Sequence, residues 1–239
     1  NKPESIPVLK EIASSGFTVS TLSPKFSIDK IHDSKNFPSM LYFLGLLTID
    51  KNEIGQDIMR IPNYSVKTMF WDYISNIIED ANPDYVYNVL KINRAFTALW
   101  HHSEPRLFFE YICEDVLSRL SNRDFIKFDE KDLKILILGI LFQSSYYFPI
   151  SEYENSGGYT DIYLKRSNLY PQTKHEWIWE LKYIKEKDKC NTSLIEQKRV
   201  DAINQLERYR SSAEFKFRTD VRYLSIIFIG DTEFDMVEV

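Results

Sequence analysis

The chain has 239 residues, of which 44% are hydrophobic, 15% aromatic and 27% charged, so it can bury a substantial core in one large or two small domains. With a net charge of −5, the chain lacks the basic surplus that is typical of general nucleic-acid binders. A local basic groove does not require such a surplus in the whole chain. The two cysteines, Cys113 and Cys190, exclude a cysteine zinc site and do not favour a structural disulfide.

The first zone, residues 1–66, is predicted to contain helices followed by a β-hairpin. Two short β-prone runs, 47–49 and 57–61, flank a turn that contains Gly55. Helices followed by a β-hairpin, the wing, are typical of winged-helix modules, which either bind DNA or pack against ATPase domains. Since the sequence of this zone contains no basic recognition helix, packing against an ATPase domain is favoured over DNA binding. The helices are predicted at Ser5–Ser14, Ile28–His32 and Met40–Leu47.

The second zone, residues 67–128, is predicted to be a helical connector. The adjacent pair His101 and His102 invites a metal-site interpretation, but neighbouring residues on a helix or loop do not face the same way. A surface position is therefore favoured for both. The helices are predicted at Val66–Ile78, Asp84–Trp100 and Glu104–Leu120, with a helix stop at 80–83.

The third zone, residues 129–239, alternates helices and strands. Strands in antiparallel hairpins, followed by a crossover helix and another strand, predict an α/β core with mixed pairing, so the whole chain is assigned to the α+β class. Helices are predicted from Asp129 to Tyr146 and from Leu194 to Tyr209, and strands at Phe148–Glu152, around Asp161, around Glu180, at Val221–Ile229 and at Phe234–Val239.

One stretch of this zone, residues 157–185, carries a pattern of charges typical of a catalytic site. Asp161 heads one β-prone run, and Glu180 and Lys182 lie two residues apart in a second run. Because side chains alternate along a strand, Glu180 and Lys182 share a face, and pairing of the two runs brings Asp161 beside Glu180. Converging carboxylates bind a hard cation such as Mg²⁺, and a lysine beside them can orient water or stabilise a phosphate's charge.

A Glu-x-Lys pair on a strand can also belong to a solvated sheet edge that has no function. The neighbours of this pair, Trp177, Trp179 and Leu181, instead indicate a strand that is buried on both faces. A charged pair in such a strand must be compensated or coordinated.

The order of these motifs resembles the PD-(D/E)XK nuclease superfamily, in particular the branch at the C-terminus of bacterial proteins that begin with an AAA-type ATPase domain. In the N-terminal half, the resemblance extends to Ser39–Thr48 and Arg60–Asn63, so it covers most of the chain. The motifs of the nuclease part occur in the family's order: the hydrophobic helix Leu133–Phe148, then 151–154 (Ser-Glu-Tyr-Glu), Asp161, 180–182 (Glu-Leu-Lys), and Gln205 with Tyr209.

The resemblance implies a restriction-endonuclease-like mixed sheet flanked by helices and a Mg²⁺- or Mn²⁺-dependent phosphodiesterase, endo- or exonuclease, acting on DNA. Asp161 and Glu180 are expected to bind the metal with help from Glu152, and Lys182 to position water or stabilise charge, with assistance from Gln205. The chain begins at Asn1 without a methionine, which predicts a C-terminal piece of a protein with an ATPase upstream. No phosphate-binding loop is present in these residues, so ATP is not expected to bind here.

Two departures from the family pattern bear on activity. The chain has 158–160 (Gly-Tyr-Thr) where relatives carry an arginine before the Asp, and the helical run Leu133–Phe142 has no acid, although Glu130 and Glu152 flank it. The third metal ligand is thus left open. The alternatives are a catalytically inactive nuclease fold that serves assembly or regulation, and a winged-helix DNA-binding regulator. With no signal peptide or transmembrane run, a cytoplasmic location is expected.

Overall fold

The computed structural model describes residues 5–26, 30, 33–53, 55–63, 65–71, 88–119 and 128–239. The chain divides into two compact units, residues 1–75 and 76–239. The predicted helix Ile28–His32 lies almost entirely outside the described residues, as do the predicted helix break at 80–83 and the adjoining ends of the two helices beside it.

The first unit combines helices with a three-stranded antiparallel sheet of order β1-β3-β2. The predicted hairpin is present as β2 and β3, and the sequence analysis missed β1, which pairs with β3. Gly16, at a φ of +80°, turns the chain from α1 into β1. The elements are α1 (Ser5–Ser15), β1 (Phe17–Ser20), α2 (Phe37–Phe43), β2 (Thr48–Glu53) and β3 (Gln56–Arg60), and residues 65–71 are helical.

The second unit begins with the helices predicted for the connector. Asn88 caps the first of them by accepting a hydrogen bond from the Lys91 N–H. His101 and His102 lie in a π-helical turn and are exposed, as expected from the sequence. The elements are α3 (Val89–Thr97), a π-helical turn (Ala98–His102), α4 (Arg106–Tyr111), a second π-helical turn (Ile112–Val116) and a 3₁₀ turn (Leu117–Arg119).

A five-stranded mixed sheet of order β4-β5-β6-β7-β8 forms the centre of this unit. All neighbouring strands are antiparallel except β6 and β7, which run parallel and are connected by α6. The architecture is thus a mixed α+β fold, as predicted. The elements are α5 (Glu130–Phe142), β4 (Tyr147–Asn155), β5 (Gly158–Arg166), β6 (Glu176–Ile184), a 3₁₀ turn (Glu186–Asp188), α6 (Thr192–Arg210), β7 (Val221–Ile229) and β8 (Glu233–Glu238).

The sheet is covered on both faces, and β6 runs through its middle with all nine residues buried. On one face, Phe109 of α4 packs against Trp179, with ring centroids 4.9 Å apart. On the other, Leu206 and Tyr209 of α6 join a buried cluster with Ile178. Side chains at alternate positions of β6 therefore enter two different cores, and any charge on this strand must find its partner inside the protein.

Candidate active site

The hairpin β5–β6 brings Asp161 beside Glu180. The regular pairing of the two strands ends at Ile162 opposite Trp179, and one further step in the same register sets Asp161 opposite Glu180. Instead of continuing the backbone ladder there, Asp161 accepts a hydrogen bond from the Leu181 N–H through its own carboxylate, at 2.9 Å. The carboxylate is thereby fixed at the point where the two strands stop pairing.

Glu180 is a buried acid, only 2% exposed. The Lys182 ammonium donates to its Oε1 at 2.7 Å, as expected for two side chains on one face of a strand. Its Oε2 lies 3.3 Å from the hydroxyl of Tyr209, which is 2.6 Å from the carbonyl oxygen of Tyr159. Burial, and then the charge of Asp161, raise the pKa of Glu180 to about 8, despite the opposing effect of Lys182. The metal-free protein therefore favours the protonated form of Glu180, and a bound cation would favour its carboxylate.

Lys182 connects this pair to a third acid. Burial lowers the pKa of Lys182, but Glu180, Asp161 and Glu130 together outweigh that effect and raise it, so the side chain is a cation. Glu130 lies 3.8 Å from the Lys182 ammonium and 3.7 Å from that of Lys198, and it accepts a hydrogen bond from the Tyr183 N–H. Because α5 begins at Glu130, this helix brings to the site an acid that lies just before the acid-free run Leu133–Phe142.

Glu152 sits on the other side of Asp161. Its neighbours on β4 pair with Ile162 and Thr160 of β5, which sets Glu152 opposite Asp161. Glu152 adopts a left-handed backbone, with a φ of +51°, a conformation that costs a non-glycine residue free energy and is enriched at functional sites. Its carboxylate is ion-paired with the ammonium of Lys134, which also lies 3.5 Å from Asp161 Oδ1.

Lys134 was not among the residues selected from the sequence. It is a buried lysine, 7% exposed, on a helix whose following residues Ile135–Phe142 are all apolar and buried. The signal that could have found it was this one charge inside an apolar helical run, since a buried ammonium requires carboxylate partners.

Gln205 lies half-buried on α6, four residues before Tyr209. Residues four apart on a helix share a face, and Lys198, Ala202, Gln205 and Tyr209 form one stripe along α6. The two ends of this stripe, Lys198 and Tyr209, contact Glu130 and Glu180. The structure thus places Gln205 on the site-facing side of α6, and its catalytic role stays a prediction.

The donor set suits a hard divalent cation. Asp161 and Glu180 supply carboxylate oxygens, and a cation bound between them would offset both the burial and the Asp161 charge that raise the pKa of Glu180. Across the described part of the chain, no group of three or more His, Cys, Asp or Glu side chains is arranged to hold a metal ion. Mg²⁺ commonly uses one or two carboxylates and completes its octahedron with waters and substrate phosphates, so two ligands suffice for it.

Comparison with known families agrees with this geometry. Residues 128–238 match the family model of the PD-(D/E)XK nuclease superfamily. The matched residues run from the start of α5 through β8, and they contain every acid and lysine described above. No curated protein and no solved structure gives a significant match to the chain.

The match supports the superfamily resemblance noted in the sequence. Assignment to the ATPase-associated branch of the PD-(D/E)XK superfamily stays a prediction, because the match does not extend to the N-terminal motifs. Among the described residues, the helices are too short or too polar to cross a membrane.

Proposed function

We propose that the second unit is a metal-dependent nuclease that hydrolyses phosphodiester bonds of DNA. The observation that carries this proposal is the convergence of Asp161, Glu180 and Lys182 at one point of a region that matches the PD-(D/E)XK nuclease superfamily. Phosphodiester hydrolysis needs stabilisation of developing negative charge more than a covalent nucleophile, and this group of side chains supplies both metal ligands and a cation.

Asp161 and Glu180 would hold a Mg²⁺ or Mn²⁺ ion, which when bound lowers the pKa of water and neutralises phosphate charge. Asp161 is held by the Leu181 N–H and Glu180 by Tyr209 and Lys182, so both carboxylates are positioned before any ligand arrives. Lys182 would exchange its contact with Glu180 for the attacking water or a phosphate oxygen. Gln205 would assist from α6, whereas Glu152, expected from the sequence to help bind the metal, is ion-paired with Lys134.

The alternative is a nuclease fold that no longer cleaves and serves assembly or regulation. The observation that favours it is that Glu152 and Asp161 already share the Lys134 ammonium, as though their charge had been neutralised within the protein. The upstream ATPase partner and the winged-helix character of residues 1–66 are further parts of the proposal, and they rest on the N-terminal motifs Ser39–Thr48 and Arg60–Asn63.

The test is cleavage of supercoiled and linear DNA, with RNA in parallel, by the purified chain in Mg²⁺ or Mn²⁺. Asp161→Asn and Lys182→Met should each lower the rate by about a hundred-fold or more, because each removes a ligand or a charge stabiliser from the transition state. Glu207→Gln, on the exposed side of α6, is the matched control and should leave the rate unchanged.

Folding of each variant is checked by circular dichroism, since loss of a buried ion-pair partner can itself destabilise the protein. Cleavage that survives both substitutions would refute the proposed site. A wild-type protein that binds Mn²⁺ but cuts neither nucleic acid, also in the presence of the proposed ATPase partner and ATP, would establish the inactive alternative.

A further inference from the structure

We propose that Lys134 acts as a built-in cation between Glu152 and Asp161, so that the site binds one divalent ion rather than two. This inference rests on the proposed function. In the wild-type protein, the Glu152 carboxylate would then be the ion-pair partner of Lys134, and Asp161 and Glu180 would be the ligands of a single metal.

The register of the sheet arranges three acids in a row on three neighbouring strands. Glu152 on β4 lies opposite Asp161 on β5, which in turn lies opposite Glu180 on β6. Such a row has two gaps between neighbouring carboxylates, one between Glu152 and Asp161 and one between Asp161 and Glu180. The Lys134 ammonium occupies the first gap, within ion-pair distance of both Glu152 and Asp161.

Lys134 lies inside the protein core and does not reach the two carboxylates from the surface. Its side chain is only 9% exposed and extends from a helix whose neighbouring residues are packed in the core. An ammonium in such surroundings is costly unless carboxylates compensate it, and here two do. A divalent ion between Glu152 and Asp161 would have to expel the ammonium into the apolar core or remain beside it against electrostatic repulsion.

The net charge of the site also favours one divalent ion over two. Metal binding requires deprotonated carboxylates, so the charges are counted with all three acids ionised. The three negative charges of Glu152, Asp161 and Glu180 and the two positive charges of Lys134 and Lys182 then leave one negative charge. One divalent ion changes this to a single positive charge, equal and opposite to that of a phosphodiester. Two divalent ions would leave three positive charges in a site that holds one phosphate. Lys134 therefore takes the place that a second metal would otherwise fill.

The test is the number of Mn²⁺ ions bound by the full chain, measured by electron paramagnetic resonance in the absence of DNA. We expect one ion for the wild type, one for Glu152→Gln, and none at this site for Asp161→Asn. For Lys134→Met we expect two ions, with the first bound at least ten-fold more tightly, because a positive charge 3.5 Å from Asp161 has been removed. Adding Glu152→Gln to Lys134→Met should return the count to one.

Lys131→Met is the matched control, an exposed lysine on the same helix that should leave both the count and the affinity unchanged. A merely structural role for Lys134 predicts weaker Mn²⁺ binding in Lys134→Met, which would overturn the inference. Two ions in the wild type, or loss of the wild-type ion in Glu152→Gln, would also overturn it, and the second result is readable even if Lys134→Met does not fold. No site-specific Mn²⁺ in the wild type would instead refute the proposed function on which the inference rests.

Discussion

Replacing Glu180 with glutamine should make the stability of the metal-free protein less dependent on pH. The pKa of Glu180 is raised from 4.5 to about 8, chiefly by burial and then by Asp161. Between these two values the folded state keeps a proton that the unfolded state releases, so the free energy of unfolding of the wild type falls as pH rises. Below pH 4.5 the carboxyl is neutral in both states, and this effect disappears.

The size of the effect follows from the shift. Each pKa unit corresponds to roughly 1.4 kcal/mol, so the window from pH 4.5 to about 8 is worth on the order of 5 kcal/mol. Glutamine imitates the neutral acid at every pH. The difference in unfolding free energy, Glu180→Gln minus wild type, should therefore grow across this window by an amount of that order.

The assay is urea unfolding in EDTA at pH 5, 6, 7 and 8, followed by tryptophan fluorescence. Three of the four tryptophans, Trp100, Trp177 and Trp179, lie in the second unit and report on its unfolding. Glu207→Gln provides the control for loss of an exposed carboxylate. The reasoning would be refuted if the free energy of unfolding changed equally with pH in the wild type and in Glu180→Gln. It would also be refuted if Glu180→Gln were less stable than the wild type at pH 8.

Two further predictions concern the scaffold around the site. Gly157→Ala should destabilise the protein by about 1–3 kcal/mol in the same assay, because a Cβ would lie 2.6 Å from the Arg208 carbonyl oxygen. The control is Asn204→Ala, at an exposed position of α6, which should change the stability little. Arg218→Met should cost about 3 kcal/mol, because it leaves the buried Glu176 without the guanidinium 2.9 Å away. Mn²⁺ binding should be retained, since Glu176 is the first residue of β6 and lies four residues before Glu180. Loss of Mn²⁺ binding in a folded Arg218→Met would contradict the separation of Glu176 from the metal site.

Much of the nuclease-like unit could be predicted because its signals are local. Alternation and β-propensity located the strands, and β7 spans Val221–Ile229 as predicted. The helix starts were fixed by caps, since Asp129 and Asn191 both accept hydrogen bonds from backbone N–H groups of the first turn. The pairing that brings Asp161 to Glu180 followed from these strands and their alternating faces.

The parts that were missed depend on contacts between distant residues. Lys134 looks like an ordinary helical lysine until Glu152, on another element and in a left-handed conformation, is brought to it. Glu130 lies at the start of the predicted helix, but its contact with Lys182 depends on how α5 packs near β6. The four-residue strand β1 is too short for its alternation to be distinguished from a loop.

The charges on β6 also matter before the protein has folded. The strand reads Glu-Trp-Ile-Trp-Glu-Leu-Lys-Tyr-Ile, and all nine residues end up buried. Segments this rich in aromatic and branched residues self-associate into intermolecular β-structure when they are exposed, and interspersed charges oppose that association. In the nascent or unfolded chain, Glu176, Glu180 and Lys182 therefore protect the segment from aggregation. Neutralising both Glu180 and Lys182 should lower the yield of soluble protein on refolding, even where the folded state tolerates the change.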